Sequence, residues 1–86
     1  MYIARSKKCD KQYQKLPKNP RQQFSERLQL YLEHKENSLL HVHSLVGEYR
    51  GLYSFNVNAD LRAVFKIKDS DTIYFSAIGS HNELYG

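Results

Sequence analysis

The spacing of the hydrophobic residues changes once along this chain, near Leu39, and that change limits the folds available to it. Before Leu39, apolar residues such as Cys9, Tyr13 and Leu16 recur at helical intervals. After it, apolar and polar residues alternate with the period of two that is typical of strands. Because helical and strand patterns occupy separate halves, the sequence predicts an α+β fold, with an N-terminal strand and two helices packed on one face of a small antiparallel sheet.

Capping residues set the expected boundaries of the two helices. Ser6 is placed to cap a first helix that ends at Pro17. Asn19, followed by a proline, predicts the start of a longer second helix that reaches Asn37. Residues 2–5, upstream of both helices, form a short apolar run that is expected to be the first strand.

Alternating residues predict three later strands joined by hairpin turns, at 52–57, 61–68 and 72–78. Odd-numbered residues, for example Tyr53, Phe65 and Ile67, are expected to meet the helices. The opposite sheet face is expected to be uncovered and polar, and to carry Ser54, Asn56, Arg62 and Lys66. A chain of 86 residues has material for one hydrophobic core, so residues 1–86 are predicted to form a single domain.

Positive charge is concentrated at the N-terminal end of the chain. The formal net charge is +4, yet residues 1–21 contain seven basic residues and one acidic residue. Such a region suits a polyanion or an acidic protein partner. The lone Cys9 excludes an internal disulfide, and no apolar run approaches the length of a membrane span or a signal peptide. We therefore expect a cytoplasmic protein that does not contact membranes.

Two histidines near predicted strand ends, His43 and His81, are candidates for proton transfer. Cleavage of an RNA phosphodiester without a metal needs a base for the 2′-OH, an acid for the 5′ oxygen and cations for the phosphorane. Imidazole suits both proton roles, and Asp60 is placed to orient a histidine or to act as the base. The candidate phosphate ligands are Arg50, Arg62 and Lys66. Tyr85 is placed to stack on a base, to donate a hydrogen bond or to cover the sheet edge.

Other interpretations of the same residues need no catalysis. His41 and His43 share a strand face, which is one geometry for metal binding, but no Cys cluster or HExxH helix accompanies them. We therefore predict no metal and no cofactor. Surface histidines without a role, and an ion pair of Arg62 with Asp60 or Glu48, account equally well for the pattern.

Three segments, HSLVGEYRG, NADLRAVFK and IGSHNELYG, have the order and spacing found in the RelE/ParE superfamily of bacterial type II toxins. The chain most closely resembles the YafQ-like branch of that superfamily. The resemblance implies a ribosome-dependent, metal-independent endoribonuclease, an mRNA interferase that cuts mRNA in the ribosomal A site. It also implies that the partners are a cognate antitoxin protein, the ribosome and mRNA.

The resemblance also implies roles for individual residues. His81 matches the general acid, and either His43 or Asp60 matches the base. Tyr85 would stack on or position the scissile nucleotide, and Arg62 matches an arginine that contacts the phosphate. Asn56 stands where the YafQ-like pattern has a further histidine, and is expected to position substrate without exchanging a proton.

On this hypothesis the basic N-terminal region binds ribosomal RNA, through Arg5, Lys7, Lys8, Lys11 and Lys15. The alternative is a ParE-like, non-enzymatic inhibitor of DNA gyrase, a class that does not need the paired histidines. A third interpretation is an inactive member of the superfamily that binds only an antitoxin and the ribosome.

Overall fold

A computed structural model describes residues 2–85 of the chain. Strand β1 (Tyr2–Arg5) is followed by helices α1 (Lys7–Gln14) and α2 (Lys18–His34). The second half contains β2 (His43–Ser44), β3 (Tyr53–Asn56), β4 (Leu61–Asp69), β5 (Thr72–Ser80) and α3 (His81–Tyr85). Two short 3₁₀ turns, Ser38–Leu40 and Gly47–Tyr49, lie before and after β2. The predicted α+β class is confirmed.

The strands form one sheet in the order β1-β5-β4-β3-β2. Strands β3, β4 and β5 are the antiparallel hairpins that the alternation predicts. Strand β1 instead runs parallel to β5, with Ile3 opposite Ile73. The sheet is therefore mixed, because alternation reveals where a strand lies but not which strand it pairs with or in which direction.

The ends of the helices agree with the capping signals only in part. Ser6 Oγ accepts a hydrogen bond of 3.0 Å from the Cys9 backbone N–H, as expected for the N-cap of α1. Helix α2 begins at Lys18, with Pro17 at the N-cap position, which is two residues earlier than an Asn19 cap would place it. It ends at His34, and Asn37 caps the following 3₁₀ turn.

An aromatic cluster between α2 and the sheet forms the centre of the core. Phe55, Phe65 and Phe75 are fully buried on neighbouring strands β3, β4 and β5. The ring centroid of Phe65 lies 5.6 Å from those of Phe55 and Phe75 and 5.1 Å from that of Tyr31 on α2. Edge and tilted aromatic pairs of this kind stabilise a fold beyond the apolar area that they bury.

Two residues predicted to meet the helices lie at the margin of this core. Tyr53 and Ile67 are 37% and 52% exposed. Ile67 lines a cleft between the C-terminal end of α2 and the β4–β5 hairpin, so the helix does not cover this part of β4. Strand β4 extends beyond the end of the helix that packs on it, and the alternation of residues along a strand does not show where a helix ends.

The sheet face away from α1 and α2 is more covered than the alternation predicts. Val64 and Ala77, opposite each other on β4 and β5, are both buried on this face. They line a pocket with Tyr49 of the second 3₁₀ turn and Leu84 of α3. These two short elements, neither of which the sequence predicts, pack on the face expected to be open. In residues 2–85, no helix combines the length and apolarity needed to cross a membrane.

We expect Phe65→Ala to lower the free energy of unfolding by about 3 to 5 kcal/mol, because it leaves a cavity at the centre of the aromatic cluster. Ile67→Ala, two residues further along the same strand and half exposed, should cost about 1 kcal/mol or less. Urea denaturation followed by circular dichroism measures both values. Equal losses in the two variants would contradict the position assigned to the core.

Candidate active site

The strand register arranges the polar residues of the second sheet face in two rows. One row runs from His43 through Ser54 and Val64 to Ala77, one residue from each of β2, β3, β4 and β5. The adjacent row contains Asn56, Arg62 and Gly79. Directly opposed residues on paired strands point to the same side of a sheet. Residues far apart in sequence are thereby brought to one surface.

A cleft of about 320 Å³ opens on this surface. Four residues predicted from the sequence line it, namely His43, Arg62, His81 and Tyr85. The remaining lining residues are Leu45, Val46, Tyr49 and Ser54. Its walls are therefore mostly apolar or aromatic, with two imidazoles and one guanidinium directed to the same space, as is usual for a ligand site.

His43 is held by hydrogen bonds at both ring nitrogens. Nδ1 lies 2.8 Å from the backbone carbonyl oxygen of His41, and Nε2 lies 3.3 Å from Ser54 Oγ. A carbonyl oxygen can only accept a hydrogen bond, so this contact favours the tautomer with the proton on Nδ1. In the neutral ring Nε2 is then an acceptor, and this is the state that a general base requires.

His81 begins helix α3 and belongs to a set of three touching rings. Its ring centroid lies 4.9 Å from that of Tyr85, in an edge contact. The Tyr85 centroid lies 5.3 Å from that of Tyr49, also edge to face. The Tyr49 hydroxyl donates a hydrogen bond of 3.0 Å to the carbonyl oxygen of Leu84. Tyr49 therefore fixes the position of the helix that carries His81.

A reciprocal cap anchors the start of α3. The Ser80 backbone N–H donates to Glu83 Oε1 at 2.8 Å, and the Glu83 backbone N–H donates to Ser80 Oγ at 3.1 Å. This is a capping box, and His81 is the first residue inside it. The hydrogen bonds from Ser80 lower the pKa of Glu83. A Cβ on Gly79 would lie 3.3 Å from Glu83 Cβ, so the glycine permits this close approach of α3 to the sheet.

Arg62 is partly buried and uses one of its nitrogens to hold the β3–β4 turn. Nη1 donates to the carbonyl oxygens of Asn58, Ala59 and Leu61 at 3.0 to 3.3 Å. Nε and Nη2 make no hydrogen bond within residues 2–85. The suggested ion pairs of Arg62 with Asp60 or Glu48 are not formed in this part of the chain either. Arg62 lines the cleft, and within residues 2–85 its Nε and Nη2 donors remain available to an anion.

Several predicted site residues do not line the cleft. Asp60 is exposed in the β3–β4 turn. Asn56 lies opposite Arg62 but lines a neighbouring cleft, together with Arg27 and His41.

The other two predicted phosphate ligands lie elsewhere on the surface. Arg50 is exposed and borders a separate hollow beside Gly47 and Leu52. Lys66 Nζ lies 5.5 Å from the ring centroid of Tyr74, in a cation–π contact on the same strand pair. His43, His81 and Arg62 are thus brought together, whereas Asp60, Arg50 and Lys66 are not.

The basic residues of the N-terminal region lie mainly on α1. Lys7, Lys8, Lys11 and Lys15 are exposed. Arg5 is more constrained, because Nε pairs with Asp10 Oδ1 at 2.8 Å and its guanidinium carbon lies 4.8 Å from the centroid of the Tyr13 ring. Lys8 lines the pocket that also contains Tyr49 and Tyr85. The basic helix therefore adjoins the aromatic wall of the cleft.

Sequence reasoning missed two residues of the cleft, Tyr49 and Ser54, as functional groups. The alternation places Ser54 on the correct face, but only the pairing of β2 with β3 brings it to His43. Tyr49 lies in a 3₁₀ turn, and no periodic signal marks its orientation. Among residues 2–85, no three side chains of His, Cys, Asp or Glu are grouped so that they could bind a metal ion.

Acidification should loosen α3, since Glu83 has a pKa below its ordinary value of 4.5. A carboxylate whose pKa is lowered by folding stabilises the fold above its unfolded-state pKa, and this contribution is lost as the pH falls through the folded-state pKa. We therefore expect the NMR signals of Leu84 and Tyr85 to shift as the pH falls below 4.5. Glu83→Gln, which does not titrate, should remove this shift, whereas Glu26→Gln on α2 should retain it. An unchanged shift in Glu83→Gln would contradict the assignment.

No protein-family model and no curated protein matches the chain. Among solved structures, YafQ from E. coli strain BL21(DE3) superimposes with a TM-score of 0.83 at 17% identity, over 98% of this chain and 97% of that chain. The YoeB/ParE toxin from Agrobacterium tumefaciens gives 0.80 at 15% identity, over 94% and 99%. A chain of the E. coli DinJ-YafQ toxin-antitoxin complex gives 0.79 at 19% identity, over 98% and 96%. The protein thus has the fold of YafQ and of the YoeB/ParE toxin.

Proposed function

We propose that residues 1–86 act as a single toxin domain of a type II toxin-antitoxin system. Its activity is that of a ribosome-dependent endoribonuclease that cuts mRNA without a metal ion or cofactor. The observation that carries the proposal is the convergence of His43, His81 and Arg62 on one cleft. The similar folds of YafQ and the YoeB/ParE toxin support the toxin assignment.

The geometry favours a different proton-transfer role for each of the two histidines. His43 Nε2 takes the proton of the ribose 2′-OH, and O2′ attacks phosphorus. The P–O5′ bond breaks as His81 gives a proton to O5′. The products are a 2′,3′-cyclic phosphate and a free 5′-OH, so atoms and protons balance. The free N–H donors of Arg62 stabilise the added negative charge on the phosphoryl oxygens.

We propose that His43, and not Asp60, is the general base. The tautomer of His43 leaves Nε2 as an acceptor beside the cleft, whereas Asp60 lies in an exposed turn and does not line it. We assign Asp60 no proton transfer. Tyr85 and Tyr49 form an aromatic wall on which a base can stack.

The remaining predicted contacts fit RNA that extends beyond the cleft. Asn56 lines the cleft next to that of Arg62, and Arg50 and Lys66 are exposed elsewhere on the surface. These residues would bind the flanking backbone without taking part in bond cleavage. The exposed lysines of α1 would bind ribosomal RNA, with Arg5 contributing less because Asp10 already pairs with it.

The proposed partners are the ribosome with its mRNA and a cognate antitoxin protein. The complex of YafQ with DinJ supports an antitoxin as the protein partner. A surface with a concentration of exposed lysines suits an acidic antitoxin segment as well as RNA. Action on the ribosome places the protein in the cytoplasm.

We expect His43→Ala and His81→Ala each to reduce mRNA cleavage by roughly 100-fold or more, since each removes one proton-transfer group. His34→Ala is the matched control, because His34 lies at the end of α2 and does not line the cleft. The purified proteins are added to a translating extract, and cut sites in a reporter mRNA are mapped by primer extension. The control should cleave like the unmodified protein.

Two outcomes would contradict this assignment. If His81→Ala cuts the mRNA as fast as the unmodified protein, His81 is not the general acid. If the unmodified protein leaves mRNA intact and causes gyrase-dependent DNA breaks, the ParE-like alternative is correct.

We expect lysines of α1 to contribute to ribosome affinity mainly through charge. Lys7→Ala and Lys11→Ala should each reduce the slope of log affinity against log salt by about 1 if the lysine contacts one phosphate. Co-sedimentation with ribosomes at several salt concentrations, in the His81→Ala background to keep mRNA intact, measures the slope. Lys35→Ala, beyond the end of α2, is the control, and an equal effect of Lys35 would contradict a specific role for α1.

A further inference from the structure

We propose that the backbone carbonyl of His41 and the hydroxyl of Ser54 position His43, and that together they select Nε2 as its proton-accepting atom. The catalytic part of this inference rests on the proposed function of His43. The two contacts come from different parts of the chain, one from the loop before β2 and one from β3. Neither His41 nor Ser54 is itself a proton-transfer group in this scheme.

The backbone of His41 has an unusual conformation. Its φ of 47° and ψ of 49° lie in the left-handed region, and it is the one non-glycine residue with positive φ in residues 2–85. A side chain with a Cβ enters this region at an energetic cost, because the Cβ comes too close to the following carbonyl oxygen. Strain of this kind persists where surrounding structure holds it, and it is concentrated at functional sites.

The strained residue directs a carbonyl group at the catalytic ring. His41 closes the 3₁₀ turn at Ser38–Leu40, where its N–H donates to the Ser38 carbonyl at 3.3 Å. Its own carbonyl oxygen lies 2.8 Å from His43 Nδ1. The His41 side chain is exposed and lines the neighbouring cleft. The positioning function therefore belongs to the His41 backbone and not to its imidazole.

The carbonyl contact selects one tautomer of His43. With the proton on Nδ1, the ring donates a hydrogen bond to His41. With the proton on Nε2, the Nδ1 lone pair would face the carbonyl oxygen at the same short distance, which is repulsive. When Nε2 accepts the ribose proton, Nδ1–H keeps its bond to the carbonyl, and this bond stabilises the imidazolium.

Ser54 holds the opposite side of the ring. Its side chain is buried, with 1% exposure, and the strand register places it directly opposite His43. With Nδ1 protonated, Ser54 Oγ–H donates to Nε2, at a rather long 3.3 Å. In residues 2–85, Ser54 Oγ has no other hydrogen-bond partner. A ribose 2′-OH that approaches Nε2 would share this acceptor with the long Ser54 contact and find the ring already held in position.

The tautomer of His43 can be tested without any activity measurement. Long-range ¹H–¹⁵N NMR spectra of the ¹⁵N-labelled free protein distinguish the Nδ1–H and Nε2–H forms. We expect the Nδ1–H form to predominate by at least about tenfold, the ratio that a difference of about 1.4 kcal/mol produces. His34, which is exposed, serves as the internal comparison. An Nε2–H tautomer at His43 would overturn the proposal even if the protein cleaves mRNA.

Variants of His41 test the role of its backbone conformation. His41→Gly removes the imidazole but favours positive φ, so the Nδ1–H tautomer should persist. His41→Val keeps a Cβ and adds β-branching, which disfavours positive φ and should withdraw the carbonyl. We expect the valine variant to contain a mixture of both tautomers. The same spectrum for both variants would contradict a backbone role. If the valine variant misfolds, the spectrum of the unmodified protein still determines the tautomer.

Variants of Ser54 test whether its hydroxyl positions the ring during cleavage. Ser54→Ala should lower kcat by about 3- to 10-fold, the loss expected for one hydrogen bond, with KM for mRNA unchanged. Ser54→Thr, which restores the hydroxyl, should recover kcat. Unchanged kcat in Ser54→Ala, or no recovery in Ser54→Thr, would remove Ser54 from the proposal. If the unmodified protein does not cleave mRNA, the proposed function fails while the NMR result still stands.

Discussion

The packing of three phenylalanines from neighbouring strands against α2 fixes the orientation of the whole sheet. Side chains alternate along a strand, so placing Phe55 and Phe65 in the core necessarily places Ser54 and Arg62 on the other side. A slip of one residue between β3 and β4 would bury the arginine and expose an aromatic ring. The large energetic cost of that slip fixes the register of β3 and β4, so Ser54 and Arg62 stay on the sheet face that carries the cleft.

The sheet face that carries the cleft is partly covered by the second 3₁₀ turn and by α3. Helix α3 has five residues and is too short to be stable in isolation. It is held by the Ser80–Glu83 cap, by the hydrogen bond from Tyr49 to the Leu84 carbonyl and by close approach at Gly79. The proposed general acid therefore lies on an element whose stability comes entirely from its neighbours. The proposed base, in contrast, is fixed by a carbonyl and by a strand partner.

The sequence contained the main features of the fold, because the change of hydrophobic period and the hairpin turns are local signals. Its candidates His43, Arg62, His81 and Tyr85 do share one cleft. Three other features could not be predicted from the sequence. They are the parallel pairing of β1, the covering of Val64 by short elements and the contact of Ser54 with His43. Each depends on pairing between distant segments, which periodicity does not encode. That Asp60 lies outside the cleft was not accessible for a similar reason, since the position of a turn residue follows from the turn's geometry and not from its spacing.

The sheet order also has a consequence for the synthesis of the protein. Strand β5 lies between β1 and β4, so the first strand to leave the ribosome acquires its neighbour only when residues 72–80 have followed. The histidine at the start of α3 emerges later still. Until residues 72–80 are available, the nascent chain therefore contains neither a complete sheet nor both walls of the cleft. A protein proposed to act on ribosomes thus cannot assemble its site before its last strand and α3 have left the ribosome that makes it.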